Sequence, residues 1–217
     1  MITPRPYLSF SAMSLFEQDQ DKYVKQYLYG EKQFVTRNMK YGSKMADGLE
    51  KDEFTGDPVL DTMIIKLPKY ELMDKIVEAK GGVKVRYPVD DQIYTVPALK
   101  DEKGLIPLLA KPDSSTAEYD AFYEYKTSVK KWTQKMSDES GQITFYATAI
   151  WLATGKIPQS IELVNVQVAY QSDRSLAPTG EMFRFPTKRT MTDIIKMTAR
   201  IRKNWSGIKK LCERELL

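Results

Sequence analysis

An α/β domain is what the sequence predicts. Two observations carry that reading: helical periodicity toward both ends of the chain, and a run of short β-prone segments, separated by Asp, Gly, Pro and Ser, through its middle. A third supports it, since 217 residues with 42% hydrophobic content suffice for one sizeable core and do not demand a second domain.

The stretch from Ser9 to about Gly30 reads as a Ser-capped helix, with Leu15, Phe16, Tyr23, Tyr27 and Leu28 as its apolar contacts. Further helices are expected over about 40–51 and 68–80, the second closed by Gly81-Gly82. Strands follow at 83–89, 92–99, 106–111 and 119–127. A helix over about 140–154, a strand at 161–170 and a short strand near 182–185 come next. The last helix carries Met191, Ile194, Ile201, Trp205, Ile208 and Cys212 on a core-facing stripe. Lys196, Arg200 and Lys203 fall together on another face of it. The expected organisation is one domain over 1–217: a helical part (1–80), a sheet core holding the active site (81–189) and a basic C-terminal helix (190–217).

Composition removes whole classes of chemistry. Histidine is absent, which excludes His-dependent triads, imidazole metal ligands and His general bases. The single cysteine, Cys212, makes no internal disulfide and by itself holds neither zinc nor an iron-sulfur cluster. Carboxylates, Lys, Tyr and Ser remain, and with them hard-cation chemistry: magnesium or manganese more than zinc. The longest mainly apolar stretch, 143–153, contains Thr144 and Thr148 and falls short of the roughly 20 residues of a membrane span. The opening residues show no basic segment followed by an apolar run, so the expected compartment is the cytoplasm, without a membrane partner.

The net charge of +4 is unevenly spread: from Arg184 onward there are 10 basic and 3 acidic residues, against 23 and 26 before it. Such a basic stretch suits either a polyanion partner or a solvated helix face.

Along 119–126, strand alternation puts Asp120, Phe122, Glu124 and Lys126 on one face and Tyr119, Ala121, Tyr123 and Tyr125 on the other. Glu124 and Lys126 then stand about 7 Å apart along the strand, enough to flank one phosphate. A hairpin between 106–111 and 119–126 brings Asp113 beside Glu124. With the main-chain carbonyl of Tyr125, the two carboxylates would make a partial magnesium shell. Asp120 would lie about 13 Å from Glu124 on the same strand, too far to share an ion.

Pro112-Asp113 followed by Glu124-Tyr125-Lys126 resembles the motif of the PD-(D/E)XK nuclease superfamily. Gln142-Ile143-Thr144-Phe145-Tyr146 is similar to the Q-x-x-x-Y element of its branch with RecB-type domains, Cas-four nucleases and lambda-type exonucleases. Gly42 to Glu50 resembles the helix that in RecB-like members reads G-x-x-x-H-x-x-L-E, with Ala46 where many members carry a metal-binding histidine. Members with an iron-sulfur cluster carry four cysteines, so none is expected here.

This resemblance implies a restriction-endonuclease-like core, a central mixed β-sheet flanked by helices, and hydrolysis of DNA phosphodiester bonds with Mg2+ or Mn2+. In its terms Asp113, Glu124 and Tyr125 hold the metal, with Glu50 contributing directly or through water. Lys126 orients or deprotonates the attacking water or stabilises developing charge. Gln142 and Tyr146 hold a phosphate or the surroundings of the water. Ser9 and Ser11 bond the DNA backbone, and the basic face of Lys196, Arg200 and Lys203 adds phosphate contacts. Trp132, flanked by Lys130 and Lys131, either stacks on a base or anchors a loop.

The expected activity is an exonuclease acting at DNA ends in recombination, repair or phage replication. Its alternatives are an endonuclease or structure-specific nuclease of the same fold, or an inactive DNA-binding module partnering a recombinase. DNA is the expected partner, and a recombinase, a single-strand-binding protein and a homo-oligomer stay open.

Overall fold

The computed structural model describes residues 5–32, 35–51 and 53–215; residues 1–4, read above for a leader, and 216–217 of the last helix lie outside them. The chain runs through β1 (Leu8–Ser9), α1 (Phe10–Gln18), α2 (Gln20–Tyr23), a π-helical turn (Val24–Leu28), α3 (Arg37–Lys51), α4 (Pro58–Lys66) and β2 (Leu72–Met73). It continues through β3 (Val83–Tyr87), β4 (Gln92–Val96), β5 (Ala98–Asp101), β6 (Gly104–Leu109), β7 (Ser114–Ser115) and β8 (Ala121–Ser128). The remaining elements are α5 (Gln134–Asp138), α6 (Gly141–Thr154), β9 (Ser160–Tyr170), β10 (Leu176–Thr187) and α7 (Met191–Glu215).

The main sheet has the order β10-β9-β8-β7-β2, and it is mixed: β8 and β9 are parallel, while the other neighbours are antiparallel. A parallel pair needs a crossover, and α5 with α6 supplies it. Beside it lie a three-stranded sheet, β1-β6-β5, and the β3-β4 hairpin. Alternation divides the main sheet's side chains between two apolar layers. Phe122, Ile161 and Leu163 meet α1, α6 and α7 on one face, while Tyr125, Val164, Val166 and Val168 meet Tyr41, Met45 and Leu49 of α3 and Leu60, Met63 and Ile64 of α4 on the other. The expected central mixed sheet flanked by helices is present. Among the described residues no helix is long and apolar enough to cross a membrane.

Helix boundaries follow their caps. Ser140 Oγ accepts from Ile143 N–H at 3.4 Å to open α6, and Gly155 at φ +75° closes it. Thr190 and Asp193 exchange backbone-to-side-chain bonds, Thr190 N–H to Asp193 Oδ2 at 2.8 Å and Asp193 N–H to Thr190 Oγ1 at 3.3 Å, a capping box that starts α7.

Three expectations are corrected. The single helix expected from Ser9 to Gly30 breaks at Asp19, which adopts extended backbone and caps α2 by accepting from Lys22 N–H at 2.9 Å. No helix spans 68–80; the helix forms earlier, as α4, because Asp57 caps it and Pro58 occupies its first turn. Pro68 then holds Leu67 extended, and the chain leaves the helix. Finally, β6 does not form a hairpin with β8. It pairs with β1 and β5, and β8 is met on that side by the two residues of β7. Pro112, which has no N–H to donate, lies between β6 and β7.

Candidate active site

Strand β8 is the spine of the site. Its register against β9 pairs Glu124 with Leu163 and Lys126 with Asn165, turning both charged side chains toward α6. Glu124 is 1% exposed. Lys126 Nζ donates to Glu124 Oε1 at 2.5 Å and to Gln142 Oε1 at 2.9 Å, and Gln142 Nε2 donates to Tyr146 Oη at 2.9 Å. Gln142 and Tyr146 lie one turn apart on α6, so a single polar chain runs from helix to strand.

Asp113 comes from the residue before β7. The Tyr125 N–H donates to Asp113 Oδ2 at 2.6 Å, which sets that carboxylate against the peptide between Glu124 and Lys126. Tyr125 presents its N–H to the acids, and its phenol turns to the opposite face, where the hydroxyl donates to Pro68 O at 2.5 Å.

Burial dominates the electrostatics. It pushes Asp113 up to about 7, assisted by the charge of Glu124 and opposed by Lys126. Burial also raises Glu124, against the lowering effect of Lys126. Lys126 loses hydration, which lowers its pKa, but Glu124 and Asp113 outweigh that and hold it above the ordinary lysine value. Burial and the charges of Glu124 and Asp113 raise Tyr146 well above a free phenol.

Asp74 was not legible as a site residue. Its N–H donates to Asp113 O at 3.0 Å, and its carboxylate forms an ion pair with Lys111. Its φ of +50° is unusual for a residue with a Cβ. Burial pushes its pKa up to about 6, Lys111 opposes this, and the neighbouring Glu50 carboxyl raises it further.

Two cavities meet at Asp74, Asp113 and Gln142. One, of about 530 Å³, is walled by Ser43, Ala46 and Glu50 of α3 together with Glu124 and Lys126. The other, of about 610 Å³, is lined by Arg5, Ser9, Ser11, Lys111 and Tyr146. Ser9 Oγ caps α1 by accepting from Ala12 N–H at 3.3 Å and lies 3.1 Å from Ser11 Oγ.

The structure thus brings Asp113, Glu124, Lys126, Gln142, Tyr146, Glu50, Ser9 and Ser11 to one place, although Glu50 stands beside Asp74. Among the described residues no three acid groups converge into a ready metal cage. A two-carboxylate donor set fits a hard cation nonetheless, because Glu124 Oε2 is buried without a hydrogen-bond partner near a second acid, the half-buried Asp113.

The remaining residues expected to meet nucleic acid lie outside this cluster. Trp132 is half-buried against the core, where its indole covers apolar side chains. Lys131 Nζ sits 4.0 Å from the Phe183 ring centroid, and Lys130 offers its carbonyl to Ser128 Oγ at 2.5 Å; none of the three lines the two cavities. On α7, Lys196 is exposed and Lys203 borders a separate cleft with Glu17 and Gln20. Arg200 does not present a free charge, since Glu17 holds it in a two-pronged ion pair, with Nε donating to Oε1 at 2.8 Å.

No protein-family model matches the chain, and no curated protein matches it. Solved structures do. The chain is similar to a protein from Eubacterium rectale whose assignment as an exonuclease is provisional, with a TM-score of 0.54 at 14% identity over 97% of this chain and 82% of that one. It also matches an alkaline exonuclease from Laribacter hongkongensis, with a TM-score of 0.48 at 12% identity over 98% and 94%. At such identities the first likeness shows one thing: this chain shares that fold.

Proposed function

We propose that the chain is a metal-dependent deoxyribonuclease that hydrolyses phosphodiester bonds at DNA ends. The observation that carries this reading is the meeting, at the junction of two cavities, of Asp113 on the Tyr125 N–H with a hydrogen-bonded chain of Glu124, Lys126, Gln142 and Tyr146. The exonuclease assignment of the Eubacterium rectale protein sharing the fold agrees with it.

Asp113, Glu124 and the main chain of Tyr125 would hold Mg2+ or Mn2+, with Glu50 reaching it through water. When bound, such an ion supplies charge neutralisation at the phosphate and a lowered pKa for water. Lys126 has three N–H bonds; Glu124 and Gln142 engage two, leaving one for a phosphate oxygen or the attacking water. Gln142 fixes that ammonium in place, and Tyr146 fixes Gln142. Ser9, Ser11 and Arg5 offer donors to backbone phosphates in the second cavity.

The test is degradation of end-labelled linear duplex and of closed circular DNA with magnesium, manganese or EDTA, comparing wild type with Glu124→Ala and Lys126→Ala. Metal-dependent loss of the linear substrate alone, abolished by both substitutions, is the expected result. Cutting of circles would move the reading to an endonuclease, and binding without cleavage under either metal would remove the catalytic claim.

A further inference from the structure

Arg189, in the turn between β10 and α7, is 6% exposed, and among the described residues no carboxylate pairs with its guanidinium. All five of its N–H groups go to neutral oxygens. Nε donates to Thr144 Oγ1 at 2.7 Å, Nη1 to Thr187 Oγ1 at 2.7 Å and Lys188 O at 2.9 Å, and Nη2 to Ser137 O at 2.9 Å and Ser140 O at 3.3 Å. Burying a cation is costly even with the charges of Asp193 and Asp138 acting on it, so the bonds it makes have to hold something in place.

What they hold is one turn of helix. Ser140 is the cap residue of α6, Thr144 lies in its first turn, and Ser137 ends the approach from α5. Gln142 sits between Ser140 and Thr144, and it is the residue that meets the Lys126 ammonium. Three attachment points from a planar fork fix both the rotation and the height of that turn over β8. A lysine has one nitrogen and cannot span them.

We propose that Arg189 is a positioning residue: it locks the first turn of α6 so that Gln142 Oε1 stands against Lys126 Nζ. The proposal rests on the nuclease reading of that site. None of the bonds of Arg189 reaches Asp113, Glu124 or Lys126, so its effect passes through Gln142.

The experiment is a double-mutant cycle of Arg189→Lys, Gln142→Met and the two combined. It is read by steady-state cleavage of end-labelled linear DNA with magnesium, by thermal melting, and by side-chain amide resonances of glutamine-labelled protein, in which Gln142→Met identifies the Gln142 pair. Arg189→Lys is expected to lower kcat about 10- to 100-fold with little change in KM. In the Gln142→Met background it lowers kcat no further, while the two melting shifts still add. The Gln142 resonances move on Arg189→Lys, and those of remote glutamines stay. Multiplying kcat losses with unmoved Gln142 resonances would overturn the proposal and leave Arg189 a brace for the fold. If the wild type cuts no DNA, the nuclease reading fails by itself, and the Gln142 resonances alone decide for or against the coupling.

Discussion

The carboxylate of Asp113 is tied to the backbone N–H of Tyr125 at 2.6 Å, so the acid from before β7 is anchored to the peptide that separates Glu124 from Lys126. Their spacing is therefore set by main chain on both strands. Side chains carried on sheet backbone are held within the small tolerance that catalysis needs.

Removing either partner of the central ion pair should stop cleavage without unfolding the protein. Glu124→Gln and Lys126→Met keep side-chain volume, and each is expected to lower kcat by at least about 100-fold. Circular dichroism verifies the fold, and single-turnover assays measure the loss. Retention of more than a tenth of wild-type activity by either variant would exclude it from the reaction.

In the absence of metal, Asp113 should make the protein less stable as pH rises. Its folded pKa, about 7, lies above the ordinary 3.8, so the folded state binds more protons between those values and stability falls as pH rises through that window. Asp113→Asn is accordingly expected to raise the melting temperature in EDTA at pH 8 and change it little at pH 4. Magnesium at pH 8 reverses the order, because only the wild type gains a bound ion. A lower melting temperature for the variant in EDTA at pH 8 would contradict this account.

The Glu17–Arg200 pair carries the opposite sign. Hydrogen bonds from Arg200, then Asn204, hold Glu17 below its usual pKa, so its contribution is present above the ordinary value and disappears as pH falls through the folded one. The side chains of Arg200 and Glu17 are 36% and 31% exposed, so water screens the pair and its worth stays below about 1 kcal/mol. Urea titration of Glu17→Gln should show a small loss at pH 7 that shrinks as the pH is lowered through the acid range. An equal loss throughout would point to packing instead.

Phe122 is fully buried, two residues before Glu124 on the same face, and its ring lies 6.3 Å from that of Tyr146. Phe122→Ala should cost about 3–5 kcal/mol, from lost transfer energy plus a cavity. Chemical denaturation at constant m measures it. A cost below about 1 kcal/mol would mean that the layer between sheet and α6 collapses to fill the space.

Much of this arrangement was legible because two periodicities leave strong marks. Alternation along 119–126 placed Glu124 and Lys126 on one face, and the four-residue step from Gln142 to Tyr146 placed both on one side of α6. The helix expected over about 140–154 has a serine cap at one end and a glycine at the other. What the sequence leaves unmarked rests on remote contacts. Asp74 lies in irregular chain after Pro68, and its place at the site depends on Asp113 O and Lys111, which no local spacing announces. The pairing of Arg200 with Glu17 of α1 is likewise remote in sequence. Trp132 packs against the core, one of the two places the sequence leaves open for it.

The parallel pairing of β8 with β9 has a consequence for the nascent chain. Parallel strands gain their bonds only after the long crossover between them has closed, a slow kind of contact to form. Glu124 and Lys126 precede β9 and the Arg189 turn in the chain, so they can leave the ribosome before the strand that pairs with β8 and the side chain that braces α6. The candidate site is therefore expected to assemble late in synthesis. A chain stalled short of β9 would contain the Asp113, Glu124 and Lys126 motif in full and have no assembled site.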